Sequence, residues 1–161
     1  MRKTIFTICM ATFLFSCNQN NKRITTLENQ IKAIEKELND TYKPGFGITM
    51  SNIQLHHSKL WFAGLNQNWE LAEFEIHEIK ERFDDIEKYQ EDKKETEMIT
   101  MIKPFLDSLD KTIEEKDINK FKINYGSLTN TCNRCHKVNN HEFIEIKIPD
   151  FKSISNQIFK K

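Results

Sequence analysis

Ile118, Phe121, Tyr125, Leu128, Cys132 and Cys135 follow one another at alternating spacings of three and four residues. Only a helix, with its 3.6-residue turn, puts such a series on one face. Both thiols of the stretch TNTCNRCHKVNNHEF (residues 129–143) therefore continue an apolar stripe at the end of a helix running over residues 117–136, with Asp117 placed to cap its start. The same spacing recurs upstream in Met50, Ile53, His57, Leu60, Trp61 and Gly64, and again in Trp69, Ala72, Ile76, Ile79, Phe83 and Ile86. A third series, Met98, Met101, Ile102, Phe105, Leu109 and Ile113, contains Pro104, which is expected to kink its first turns. Gly64, Asn66 and Asn68 mark a turn between the first and second of these helices. Four amphipathic helices on mostly short connections predict an all-α domain, an antiparallel four-helix bundle. Residues 143–149 alternate as a strand would, but nothing offers to pair with them, so they read as part of a short extended C-terminal tail.

The N-terminus carries a different pattern. Arg2 and Lys3 precede a short apolar run and then Ser16 and Cys17, the layout of an export signal. The run is shorter than the ~20 residues a spanning helix needs. The sequence LFSC looks like a bacterial lipobox, in which Cys17 is diacylated on sulfur and becomes the mature N-terminus. Beyond it, Ile24, Leu27, Ile31, Ile34 and Leu38 paint a narrow apolar stripe on a short helix, read as a stalk or as an extra helix laid on the domain, which KPGFG (residues 43–47) ends. The expected division is a lipoprotein signal peptide over residues 1–16, anchor and stalk over 17–46, and the helical bundle over 47–161. That places the chain in the bacterial cell envelope, held to the membrane by lipid.

Composition narrows the function. An apolar content of 38% fits a folded domain with a small core. Once the leader is removed, 22 basic residues face 24 acidic ones, so no basic surface is implied and nucleic acid is a poor partner. No acid–base pair, Gly-rich phosphate loop or nucleophile with a histidine base stands out, which argues against an enzyme. Cys9 leaves with the leader and Cys17 takes lipid, so the mature domain keeps Cys132 and Cys135 alone. No disulfide scaffold and no second CxxC for a four-cysteine zinc site can be built from them.

CNRCH, residues 132–136, matches the attachment signature of c-type haem. Two thiols on one helix face can bond the same edge of the macrocycle, and the adjacent His136 can serve as the proximal iron ligand. A redox disulfide would be expected near a βαβ pattern, which is missing. A zinc site from Cys132, Cys135, His136 and His141 would need awkward tetrahedral geometry from neighbours in sequence. In an antiparallel bundle the end of the last helix lies level with the start of the first, near Phe83, Met98 and Met101. The sixth iron position then falls to Met50 or His57, or stays open. His56, His77 and His141 are expected at the surface or the haem edge, and Lys59, Arg134 and Lys137 are candidates to pair with propionates. Trp61 and Trp69 pack the opposite corner.

A CxxCH near the end of the last of four helices resembles the class II c-type cytochromes, the cytochrome c-prime architecture. More closely, QLHHSKLWFAGLNQNWELAEFEIHEIKERFDDI together with CNRCH, HEFIEIKIP and SNQIF resembles a family of small exported bacterial c-type haem proteins, over residues ~47–159. The resemblance implies haem c and electron transfer. The expected function is that of a lipid-anchored monohaem cytochrome passing single electrons to a redox partner protein that the sequence does not name. The alternatives are a five-coordinate haem protein that binds or senses NO or CO, and a haem-free structural envelope lipoprotein.

Overall fold

The computed structural model describes residues 2–41, 44–152, 154 and 156–160, with side chains from residue 20 onward apart from 39 and 40. The Cys17 side chain, the expected lipid attachment point, lies outside the described residues. The fold is all-α, and no strand occurs among the described residues. The chain divides into two compact units, Met1–Lys43 and Pro44–Lys161.

The first unit is one helix, α1 (Arg2–Thr41). It runs unbroken through the Ser16–Cys17 junction because residues 2–41 contain neither glycine nor proline. Its Ile24, Leu27, Ile31, Ile34 and Leu38 all stand exposed. No helix among the described residues is long and apolar enough to cross a membrane.

The second unit holds α2 (Phe46–Leu65), α3 (Trp69–Tyr89), a single turn α4 (Lys94–Glu97), a 3-10 turn Met98–Met101, α5 (Lys103–Glu114) and α6 (Ile118–Val138). Helix α3 starts where the Asn68 side chain accepts from Leu71 N, and α6 where Asp117 accepts from Asn119 N and Lys120 N. The third amphipathic stretch departs from the expected kinked helix. It breaks into α4, the 3-10 turn and α5, and Pro104 sits in the first turn of α5, where its missing N–H leaves no helical bond unmade. Gly64, expected on the helix face where the turn begins, is found there, with its carbonyl accepting from Gln67 N, and it has a further role. It lies inside α2, and a Cβ there would fall 2.2 Å from the Phe121 ring, so its small size lets α6 approach α2 closely. The left-handed turn position belongs to Gln67, with φ of 54°.

Helix α2 packs along α3, α3 along α5, α5 along α6, and α6 meets α2 again. Leu60, Ala63, Ala72, Ile76, Ile79, Leu106, Leu109 and Leu128 fill the space between them. At the α2–α3 corner Trp61 stacks on Phe121 at 6.1 Å and lies 4.8 Å from Tyr125, and Trp69 meets Phe121 edge-on at 6.1 Å. Past α6 the tail returns far enough to bury Phe159 against Phe62, at 5.7 Å between rings.

Candidate functional site

Where α6 ends, the core does not close. Cys132, Cys135 and His136 line a cavity of about 620 Å³, inside the range of cofactor and small-molecule sites. Most of its wall is apolar: Phe46, Met50 and Ile53 from α2, Phe83 from α3, Ile99 and Ile102, and Ile144 and Ile146 of the tail. Lys93, Glu95, Asn139 and His141 supply polar groups. The three-four stripe of α6 explains the placement, since it carries the apolar face that packs the core straight on into the two thiols.

His136 is held from one side. Its Nδ1 lies 2.8 Å from the Ile144 carbonyl oxygen. A carbonyl only accepts, so Nδ1 carries the proton, and in the neutral ring Nε2 keeps its lone pair. A donor bond of this kind fixes the tautomer and ring orientation of a metal-binding histidine. The tail segment that provides the acceptor is itself clamped by the residue between the cysteines: Asn133 Nδ2 donates to Ile146 O and Ile146 N donates to Asn133 Oδ1, each at 2.7 Å. His141 N donates back to His136 O at 2.8 Å, and His141 Nδ1 donates to Asn139 O at 2.7 Å, which leaves a second free Nε2 in the cavity wall.

Both cysteines are free thiols. Desolvation pushes Cys132 up to about 12, with Cys135 adding to the effect, and burial raises Cys135 as well, against an opposing hydrogen bond from Asn139. A dithiol that exchanges disulfides works through a lowered pKa, so this pair is built the opposite way. Among the described residues no three His, Cys, Asp or Glu side chains converge to hold a metal ion by themselves. Cys132, Cys135, His136 and His141 share a wall without forming a closed zinc shell. A flat apolar macrocycle that bonds two thiols and brings its own iron to a histidine nitrogen fits this donor set, because it needs a wide greasy slot, two unpaired thiols on one wall and one free Nε2.

The two candidates for the sixth iron position fare differently. His57 touches the cavity, but both ring nitrogens are engaged: Nε2 lies 2.9 Å from Thr129 Oγ1 and Nδ1 2.9 Å from the Tyr125 hydroxyl, whose ring stacks on the imidazole at 4.4 Å. Burial lowers its pKa to about 4, so it is neutral near pH 7. Met50 lies half-buried in the cavity wall with no such commitments, whereas Met98 and Met101 pack on the core outside it.

Other expected groups are engaged elsewhere. Lys59 pairs with the fully buried Glu75 at 2.6 Å, and His56 is drawn in beside it at 2.7 Å rather than left in solvent. Arg134 lies over the Phe105 ring, 5.8 Å from its centroid. Sequence reasoning missed Asn133, the Ile144 carbonyl, Lys93 and Glu75. A buried carboxylate on the apolar side of α3 had one signal, its place between Ala72 and Ile79 on the helical stripe. No protein-family model, curated protein or solved structure matches the chain.

Proposed function

We propose that this chain is a monohaem c-type cytochrome of the bacterial envelope, lipid-anchored through Cys17, that carries single electrons and turns over no substrate. On this reading residues 47–161 form an antiparallel four-helix bundle, the helix after the anchor is a stalk, and the extended tail closes the haem slot. One observation carries the reading: His136 offers a free Nε2, oriented by the Ile144 carbonyl, in the wall of an apolar cavity that also holds both thiols of CNRCH. Cys132 and Cys135 would bond the haem edge, His136 would be the proximal ligand, and Met50 is favoured over His57 as distal ligand because the His57 nitrogens are engaged. When bound, haem c supplies an iron that cycles between ferrous and ferric states. The protein's own residues exclude water from the slot, hold the imidazole tautomer and set the polarity around the iron, which are the levers on its potential.

A second reading has its own support. With His57 withheld and the remaining wall rich in Ile53, Phe83, Ile99 and Ile102, the iron would be five-coordinate if Met50 stays off it, and NO or CO would then be the ligand. Absorption spectra of protein exported by a cell with c-type haem maturation, oxidised and dithionite-reduced, separate the readings. Sharp reduced α and β bands unchanged by CO support electron transfer through a six-coordinate iron. Broad bands that shift with CO support gas binding, and a colourless protein leaves only a structural lipoprotein.

A further inference from the structure

We infer that the exposed stripe of α1 is a pairing surface for a second copy of this chain, the two helices lying parallel. The inference rests on residues 23–38 alone and is independent of the haem reading. Ile24, Leu27, Ile31, Ile34 and Leu38 occupy successive a, d, a, d and a positions of a heptad. Each is between 50% and 65% exposed, on a helix with good formers at most other positions. Five large aliphatics in one continuous seam are far more than scattered surface apolar groups, and a two-stranded heptad seam buries them against their own copies.

Charge chooses the occupant and its direction. In this register Arg23 and Gln30 fall at g positions, and Glu28 and Glu35 at e positions. A parallel pair sets each g residue against the e residue five places on in its partner. Arg23 then meets Glu28 of the other copy twice, by symmetry, and Gln30 meets Glu35 with no like-charge contact. An antiparallel pair stacks a against d positions, and with Ile24 over Ile34 and Leu27 over Ile31 of the other copy it also sets Arg23 against Glu37, but it faces Glu28 with its own copy, a like-charge contact that the parallel pair lacks. A seam of little more than two heptads makes the pair weak in dilute solution, so it is concentration-dependent and is favoured wherever the chains are held at high local density.

The test uses the full chain, exported as it is made, with Leu27→Cys introduced in the seam and Asn29→Cys on the outer face as control. Mild oxidation of the envelope fraction followed by a non-reducing gel reads the dimer. The expected result is a dimer band from Leu27→Cys well above that of the unsubstituted chain and of Asn29→Cys. On the Leu27→Cys background, Arg23→Glu should lower the yield roughly fivefold, by turning two ion pairs into like-charge pairs, and adding Glu28→Arg should restore it. Equal bands from both introduced thiols mean random collision and overturn the proposal. A dimer that forms only when the Leu27→Cys chain is co-expressed with an Ile31→Cys chain means antiparallel pairing and also overturns it. No dimer, with the Leu27→Cys thiol shielded from a maleimide, means that something other than a second copy covers the stripe.

Discussion

The same two helices, α2 and α6, meet in opposite ways at their two ends. At one end Phe121 presses on the bare backbone of Gly64, with Trp61 and Trp69 around it and no room for a single methyl group. At the other, Met50 and Ile53 face Cys132 and Cys135 across a cavity of about 620 Å³. Between them His57, Tyr125 and Thr129 form a buried hydrogen-bonded plug. The closed end holds the helices together so that the open end can keep apolar surface uncovered, an arrangement that lets a bound group supply the missing packing.

That contrast is breakable in order of effect. Phe121→Ala empties the centre of the closed end and should cost about 3–5 kcal/mol, read as a fall in urea midpoint. Acid should attack the plug next. The folded pKa of His57 is lowered from 6.5 to about 4, so between those values the unfolded chain binds the extra proton. Stability is then full above about pH 6.5 and is lost as pH falls towards 4, by about 3 kcal/mol in all. His57→Gln should flatten urea midpoints across that window, and an unchanged pH slope would remove His57 from the account. Gly64→Ala should cost about 1–3 kcal/mol from the forced shift of the Phe121 ring, offset by up to ~1 kcal/mol of helix propensity. Thermal melts check it, and a rise in Tm would mean that the ring moves freely.

At the open end the largest effect should be local. Asn133→Ala removes two tail bonds of about 0.5–1.5 kcal/mol each. Amide exchange over residues 142–148 should quicken roughly tenfold or more while the core stays protected. Equal acceleration throughout would mean that the tail is part of the global fold instead of a separate closure over the cavity.

Much of this was legible in the residues. The three-four spacing marks α2, α3 and α6, and the continuation of the α6 stripe into Cys132 and Cys135 puts both thiols against the apolar interior. What was hidden depends on partners far along the chain. His57 reads as a possible iron ligand until Tyr125 and Thr129, 68 and 72 residues on, claim its nitrogens. Gly64 reads as a helix-end residue beside a turn, and the reason it must be bare shows only when Phe121 lies on it. The role of Asn133 needs the tail folded back onto α6, and nothing local in FIEIKIP announces that its carbonyls will face the CNRCH residues. Phe159 in the core, when Phe143, Phe151 and Ile158 of the same tail stay exposed, belongs to the same class.

The most direct measurement is the intact mass, under denaturing conditions, of full-length chain exported by a cell with c-type haem maturation, beside the Cys132→Ala, Cys135→Ala double variant. The account predicts one covalently bound haem on the unsubstituted chain and none on the variant. An unsubstituted chain that is well folded, fully exported and free of added haem would contradict it.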